Sequence, residues 1–277
     1  MYLRLATILT ISLLLLTSCG GGGSSGSGTP PPPGGGGGGG GPTDPVISVA
    51  EAHRFLRQAS FGPTPTEVEK VRDIGFEAWI DQQLLEPVSL QLPYMDDLPE
   101  PENSREGQTN RLDAWFQNVL NGKDQLRQRV AFALSEIIVI SDQGNLFNFP
   151  NGLADYYDKL AINAFANYPD LLKTVTLTPA MGRYLSMLGN QKPDKAKNIR
   201  PDENYAREVM QLFSIGLVML NKDGSVVLDQ DNQPIPTYDQ AVIEAFAHVF
   251  TGWTFYGSEA FNRPSYIFRA PMVAFQA

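Results

Sequence analysis

Between Arg200 and Leu217 the chain reads RPDENYAREVMQLFSIGL, and this stretch constrains the fold more than any other. Projected at about 100° per residue, Tyr205, Ala206, Val209, Met210, Leu212, Phe213 and Ile215 form one wide apolar arc, as on a helix buried along one side. Pro201 suits a first helical turn, Asp202 and Glu203 favour the positive helix start, and Gly216 is a natural stop. Glu208 breaks the pattern. It projects inside the arc, between Ile215 and Leu212, where a carboxylate must be paired, protonated or bound to something.

The start of the chain is of another kind. Arg4 precedes an apolar run from Leu5 to Leu16 that is too short to span a bilayer comfortably. Small residues and Cys19 follow, so residues 1–18 read as a secretory signal peptide. Leu16-Thr17-Ser18-Cys19 resembles a bacterial lipobox. That resemblance implies cleavage before Cys19 and lipidation of its sulfur, and Gly20 in the next position points to the outer membrane. Cys19 is the only cysteine, which leaves none for disulfides or thiolate metal sites. The net charge of −9 argues against nucleic acid or anionic lipid as a partner.

Residues 19–45 are glycine runs around Pro30 to Pro33, a composition that cannot bury enough surface to fold. With a lipid at one end and a globule at the other they form a disordered tether, spanning roughly 25–30 Å as a flexible coil.

Residues 46–277 carry the fold. Ser48-Val49-Ala50-Glu51 is a capping box, and Thr64-Pro65-Thr66-Glu67 is a second, with proline at the first helical position. The second helix runs to Gly75, and a third over Phe76–Leu85 carries Trp79. Residues 86–107 are rich in proline and acid and read as a surface loop. Asn110 to Asn121 is helical with Leu112, Trp115, Phe116 and Val119 as the buried set. Asp124 to Ser141 is the most apolar helix and reads as the central buried element, although Ile137 to Ile140 could also be a strand. Helices follow over 152–167, 170–177 and 178–188. After Gly216 the period changes. Val218 to Leu220 and Val226 to Leu228 flank Asn221-Lys222-Asp223-Gly224, a hairpin signal. Thr237-Tyr238-Asp239-Gln240 caps a last helix ending at Gly252. The expected fold is mainly α, an irregular multi-helix globular domain with one small β-hairpin.

Several blocks, in order, resemble the bacterial domain of unknown function 1800: AHRFLRQASFGPT (52–64), RQRVAFALSEIIVIS (127–141), YYDKLAINAFANYPDLLKTVTLTPAMGRYLSMLGNQK (156–192), RPDENYAREVMQLFSIGL (200–217), and IPTYDQ with FTGW (235–240, 250–253). The resemblance implies a secreted or envelope protein of bacteria and carries over no catalytic residue. It also implies a domain that continues beyond FTGW into a block with a His-Asp pair, so this chain is expected to be truncated at its C-terminus.

Two carboxylates in apolar settings, Glu136 and Glu208, are the candidate catalytic pair. They could hold a divalent metal or work as acid and base. The favoured alternative is a buried ion network, with Arg129 serving Glu136 and another arginine, such as Arg54, Arg57 or Arg183, serving Glu208. Glu244 and His248 stand at i, i+4, a spacing compatible with a shared metal, but on the polar side of their helix, where a solvent-facing pair is the commoner case. His53, the other histidine, sits at the edge of a core face. The acids near Asp223 and Asp229 fit turn chemistry better than calcium loops. No P-loop, G-x-S-x-G or dinucleotide fingerprint is present. Two functions remain open: a lipid-anchored module that binds or scaffolds an envelope protein or polymer, and a carboxylate- or metal-dependent enzyme of hydrolase type.

Overall fold

The computed structural model describes residues 46–98, 105–261 and 265–275. Residues 1–45, on which the expected signal peptide, Cys19 and the expected tether fall, lie outside the described residues. The described chain is mainly α, with ten helices and one two-stranded antiparallel sheet among those residues. No described helix is long and apolar enough to cross a membrane.

The first helices form where the capping signals put them. Helix α1, Val49–Ala59, opens on the expected reciprocal box: Glu51 N–H donates to Ser48 Oγ and Ser48 N–H to Glu51 Oε2. Helix α2, Pro65–Leu85, is broken at Gly75, whose φ of +86° only glycine adopts without strain. Its Glu67 leaves the capping box half made. The carboxylate accepts from the Trp79 indole at 2.8 Å instead, tying the two halves of α2 across the break. Leu56, Val71 and Trp79 form a small core here, with Phe55 edge-on to the Trp79 ring.

Residues 86–107 are not a plain loop. They contain α3, Gln91–Asp96, and α4 begins earlier than expected, spanning Arg105–Asn121. The missed helix has no local cap. Its first N–H groups, on Gln91 and Leu92, donate at 2.7 and 3.0 Å to Asp158, more than sixty residues downstream. On α4 the expected buried set is half wrong. Val119 is buried and Trp115 half-buried, but Leu112 and Phe116 are exposed, while Gln108, Arg111 and Ala114 face inward.

The centre of the domain is α6, Pro150–Ile162, and not α5, Gln125–Ile137, as the apolar run predicted. Helix α5 buries only Gln128 and Ala131, and Ile137 is half exposed. Helix α6 buries nine of its thirteen residues and packs against α3, α4, α5 and the two helices that follow it, α7 (Tyr168–Thr176) and α8 (Pro179–Tyr184).

Helix α9, Asn204–Gln211, is shorter than the Arg200–Leu217 pattern. It packs on α10, Gln240–Val249, and buries Tyr205, Ala206, Val209 and Met210 as expected, but Leu212 and Ile215 face solvent. The expected hairpin is built from isolated bridges, Leu220 to Val226 among them. Residues 233–237 join it as a third segment. Met219 donates to Ile235, Ile235 to Val227 and Val227 back to Met219, so the three segments close a ring.

The last described segment crosses the face of α6 and α8. Strand β1, Trp253–Thr254, pairs with β2, Val273–Ala274. Met272 N–H donates to Leu177 C=O at 2.7 Å, its side chain lies on Gly182, and Phe268 lies on Gly152. A Cβ at Gly152 would come within 3.0 Å of Phe268 Cβ and 2.6 Å of its ring, and neither helix α6 nor the buried ring can give easily. Gly152→Ala is therefore expected to cost about 1–3 kcal/mol, read as a lowered urea midpoint. A variant as stable as the wild type would show that Phe268 is not held by this contact.

Candidate functional site

The two candidate acids do not form one site. Glu136 is exposed near the end of α5. Its expected partner Arg129 makes no ion pair with it and instead lies over the rings of Phe61 and Phe132, at 5.5 and 5.6 Å. Glu208 is half-buried on α9, and its Oε2 is buried with no hydrogen-bond partner. No arginine clamps it: among the described residues Glu208, Arg54, Arg57 and Arg183 form no salt bridge. The main neighbours of α5 are α6, α2 and α4, and that of α9 is α10, so the two carboxylates ride on elements with no substantial shared face. The exposure of Leu212 and Ile215 explains the difference. The part of the apolar arc that flanks Glu208 is the protein surface.

Glu244 and His248 are both exposed on α10, and Glu244 accepts only from Gln240, at 3.3 Å. His53 is exposed too. Among the described residues no group of three or more His, Cys, Asp or Glu side chains is arranged to hold a metal ion. Asp223 Oδ1 accepts from Ser225 N–H and Oγ–H, and Asp229 Oδ1 from the N–H groups of Asp231 and Gln233, which is the turn chemistry expected of them.

Replacing each candidate acid is expected to do little. Glu136→Gln changes an exposed side chain and is expected to stay within about 0.5 kcal/mol of the wild type. Glu208→Gln keeps the shape of a group that has no partner to lose, and is expected to shift the thermal midpoint by less than about 4 °C. A Glu208→Gln variant destabilised by about 3 kcal/mol or more would restore a buried, paired carboxylate.

The buried charges of the domain lie elsewhere, around α6. Burial pushes the Asp158 carboxyl up to about 6, against the two backbone N–H donors that favour its charged form. One turn earlier Asp155 is also raised by burial, with Lys159 pairing to it and working the other way. Arg111 is buried on α4, bonded to Gln108 at 3.0 Å and to Asp142 at 3.0 Å. Burial lowers its guanidinium from its ordinary value, and the neighbouring Tyr157 and Asp142 oppose the shift. These groups hold helices together. Only Arg111, with Tyr157 and Asp142, reaches a cleft, one of about 350 Å³ that Glu136 also lines.

A larger cavity, about 740 Å³, opens where the segment 265–269 crosses the start of α6. It is lined by Asn148, Phe149, Asn151, Arg183, Tyr266 and Arg269, among others, and among the described residues no Asp, Glu, His or Lys lines it. Phe149 stacks with Tyr266, their rings 5.8 Å apart and 12° from parallel. The Arg183 guanidinium lies 4.8 Å over Phe149. It is held there because its Nε donates to Asn145 C=O at 2.8 Å while the Asn145 amide donates back to Arg183 C=O at 2.9 Å. Arg269 is bonded to both Asp96 oxygens, at 2.5 and 3.0 Å, which ties the far wall to α3. Tyr266 is more than half exposed and sits at φ +55°, a left-handed conformation that costs a bulky residue about 1–3 kcal/mol.

Arg183 also lines a second cavity, of about 480 Å³, with Asn145, Ser186, Gln191 and Arg200. Its wall is the loop 189–202, closed by Asn190, whose amide bonds the N–H and C=O of Asp202 at 2.8 and 3.1 Å. Ser186 repeats the left-handed backbone, at φ +61°.

Sequence reasoning missed this site and considered Arg183 only as a clamp for Glu208. One signal was available. Asn145 and Asn148 are interleaved with Phe147 and Phe149 ahead of a helix that starts at Pro150, and Asn151 lies in its first turn. The other wall comes from residues 265–269, over a hundred positions away, and nothing local announces the meeting.

No curated protein and no solved structure matches the chain. The family model described as a protein of unknown function (DUF1800) matches residues 54–275, from the first helix through the segment that closes the cavity, and the chain belongs to that family.

Proposed function

We propose that this protein is an envelope-tethered binding module. Lipidated Cys19 holds it to the bacterial outer membrane, the Gly/Pro-rich tether gives it reach, and the helical domain captures an envelope polymer. One observation carries the binding role. A cavity of about 740 Å³ is furnished with aromatic rings, amides and guanidinium groups, and no described residue that lines it is a carboxylate or imidazole of the kind acid–base chemistry would use. A carboxylate enzyme built on Glu136 and Glu208 lacks support, because the two acids sit on helices without a substantial common face.

Two measurements test the reading. In cells given a clickable fatty acid, the wild type is expected to be labelled and to fractionate with the outer membrane, and Cys19→Ser to be neither. In co-sedimentation with isolated cell-envelope polymer, the wild type is expected to pellet and Tyr266→Ala to stay in the supernatant. Equal pelleting of the two proteins would place binding outside this cavity.

A further inference from the structure

The two cavities meet at one arginine, and the chemistry on either side of it is specific. We propose that together they form a track for an acidic polysaccharide, with a sugar ring against Tyr266 and Phe149 and its carboxylate on Arg183. A carboxylate further along the chain is taken by Arg200. This rests on the binding role proposed above and deepens it by naming the ligand.

Four features support the assignment. Arg183 and Arg200 form no salt bridge with any described carboxylate, although the whole chain carries a net charge of −9. In so acidic a protein, Arg183 and Arg200 outnumber the one described carboxylate that lines the second cavity, Asp202, with which neither forms a salt bridge, so the local charge is positive. A guanidinium offers two parallel N–H donors that match a carboxylate. Arg183 is also positioned in advance: its Nε is engaged by Asn145 and its face by Phe149, so little freedom is lost when an anion arrives.

The remaining lining favours a sugar over a bare anion. Arginine also matches phosphate, but many phosphate sites add backbone N–H groups at a helix start or glycine-rich turn. Here the polar groups are side-chain amides and hydroxyls, Asn148, Ser265, Ser186 and Gln191, which both donate and accept as sugar hydroxyls do. Tyr266, held out by a strained backbone, supplies the flat apolar face that a pyranose ring can cover. Backbone strain of this kind gathers at ligand-binding positions, and here it holds a more than half exposed ring at the cavity.

Calorimetric titration of the full chain with an alginate hexamer tests the proposal, alongside the same hexamer with its carboxylates reduced to alcohols and a hexaglutamate peptide. The wild type is expected to bind the acidic hexamer at least about tenfold more tightly than the other two. Arg183→Gln is expected to lose about tenfold for the acidic hexamer only, and Tyr266→Ala to weaken the acidic and the reduced hexamer alike. Arg200→Gln, a change at an exposed position that leaves the fold intact, is expected to weaken the hexamer and not a trimer. Equal binding of acidic and reduced hexamers through Tyr266 would overturn the acidic assignment and leave the binding role standing. Equal binding of hexaglutamate would overturn the saccharide assignment. No binding of any probe, or binding untouched by Arg183→Gln, Arg183→Lys and Tyr266→Ala, would overturn the track. If neither the wild type nor Tyr266→Ala pellets with envelope polymer, the binding role fails with it.

Discussion

Asp124→Ala is expected to destabilise the domain by about 3–5 kcal/mol. The carboxylate is completely buried. It accepts from Ser89 N–H at 2.9 Å, Ser89 Oγ–H at 2.7 Å and Gln128 Nε2 at 3.0 Å. Alanine would strand these donors away from water, at about 1–3 kcal/mol for each one left unmade. Gln128 also donates to Ser89 C=O, and Gln83 bonds Lys123 C=O and Leu126 N–H, so the turn between α4 and α5 is stitched to residues 83–89 by side chains. Urea unfolding at pH 7 measures the loss. A variant within about 1 kcal/mol of the wild type would show that the stitching is redundant.

Stability is expected to fall as pH rises from about 4 to about 6, and Asp158 is the main cause. In the unfolded chain its carboxyl titrates near 3.8, and in the fold burial raises it to about 6. Below the first value both states are protonated; above the second both are ionised. Between them the folded chain keeps a proton that the unfolded chain has lost, so the fold is favoured at the acid end of the window and loses about 3 kcal/mol across it. Asp155, also raised by burial, adds to the same trend, whereas exposed Glu51 and Asp223, lowered by their serine hydrogen bonds, oppose it. The clean readout is therefore a difference. Thermal midpoints of wild type minus Asp158→Asn are expected to decline from pH 4 to pH 6.5 and then level. A flat difference would mean that Asp158 titrates normally in the fold.

Asp124 and Asp158 also show where sequence reading stops. The helices with local signals are found where expected: α1 behind Ser48, α2 behind Thr64-Pro65, and α10, where Asp239 caps by accepting from Val242 N–H. Asp124 stands at an ordinary N-cap position, but its carboxylate makes no cap bond to α5 and reaches Ser89 instead. Asp158 looks like a polar residue on a helix, yet it caps α3 from a distance, and without that partner α3 was unreadable. The choice of α5 as the central element failed for a related reason. Hydrophobicity all round a helix says that it could be buried, whereas α6, with Asp155 and Asp158 among its buried residues, is surrounded by five helices. The candidate acids failed through a shorter helix. Once α9 ends at Gln211, the residues flanking Glu208 belong to the surface.

The ring closed by Met219, Val227 and Ile235 bears on how this edge of the protein meets other chains. Leu217, Met219, Leu220, Val226 and Leu228 are all exposed along it, a composition that invites intermolecular zippering. The third segment refuses that pairing. The amides of Ile235 and Thr237 are spent on Val227 and Leu217, and the residue before each is a proline, Pro234 or Pro236, which has no hydrogen to offer. Along that side a neighbouring strand would find backbone acceptors but no backbone donors, which leaves a fibril-like ladder half made.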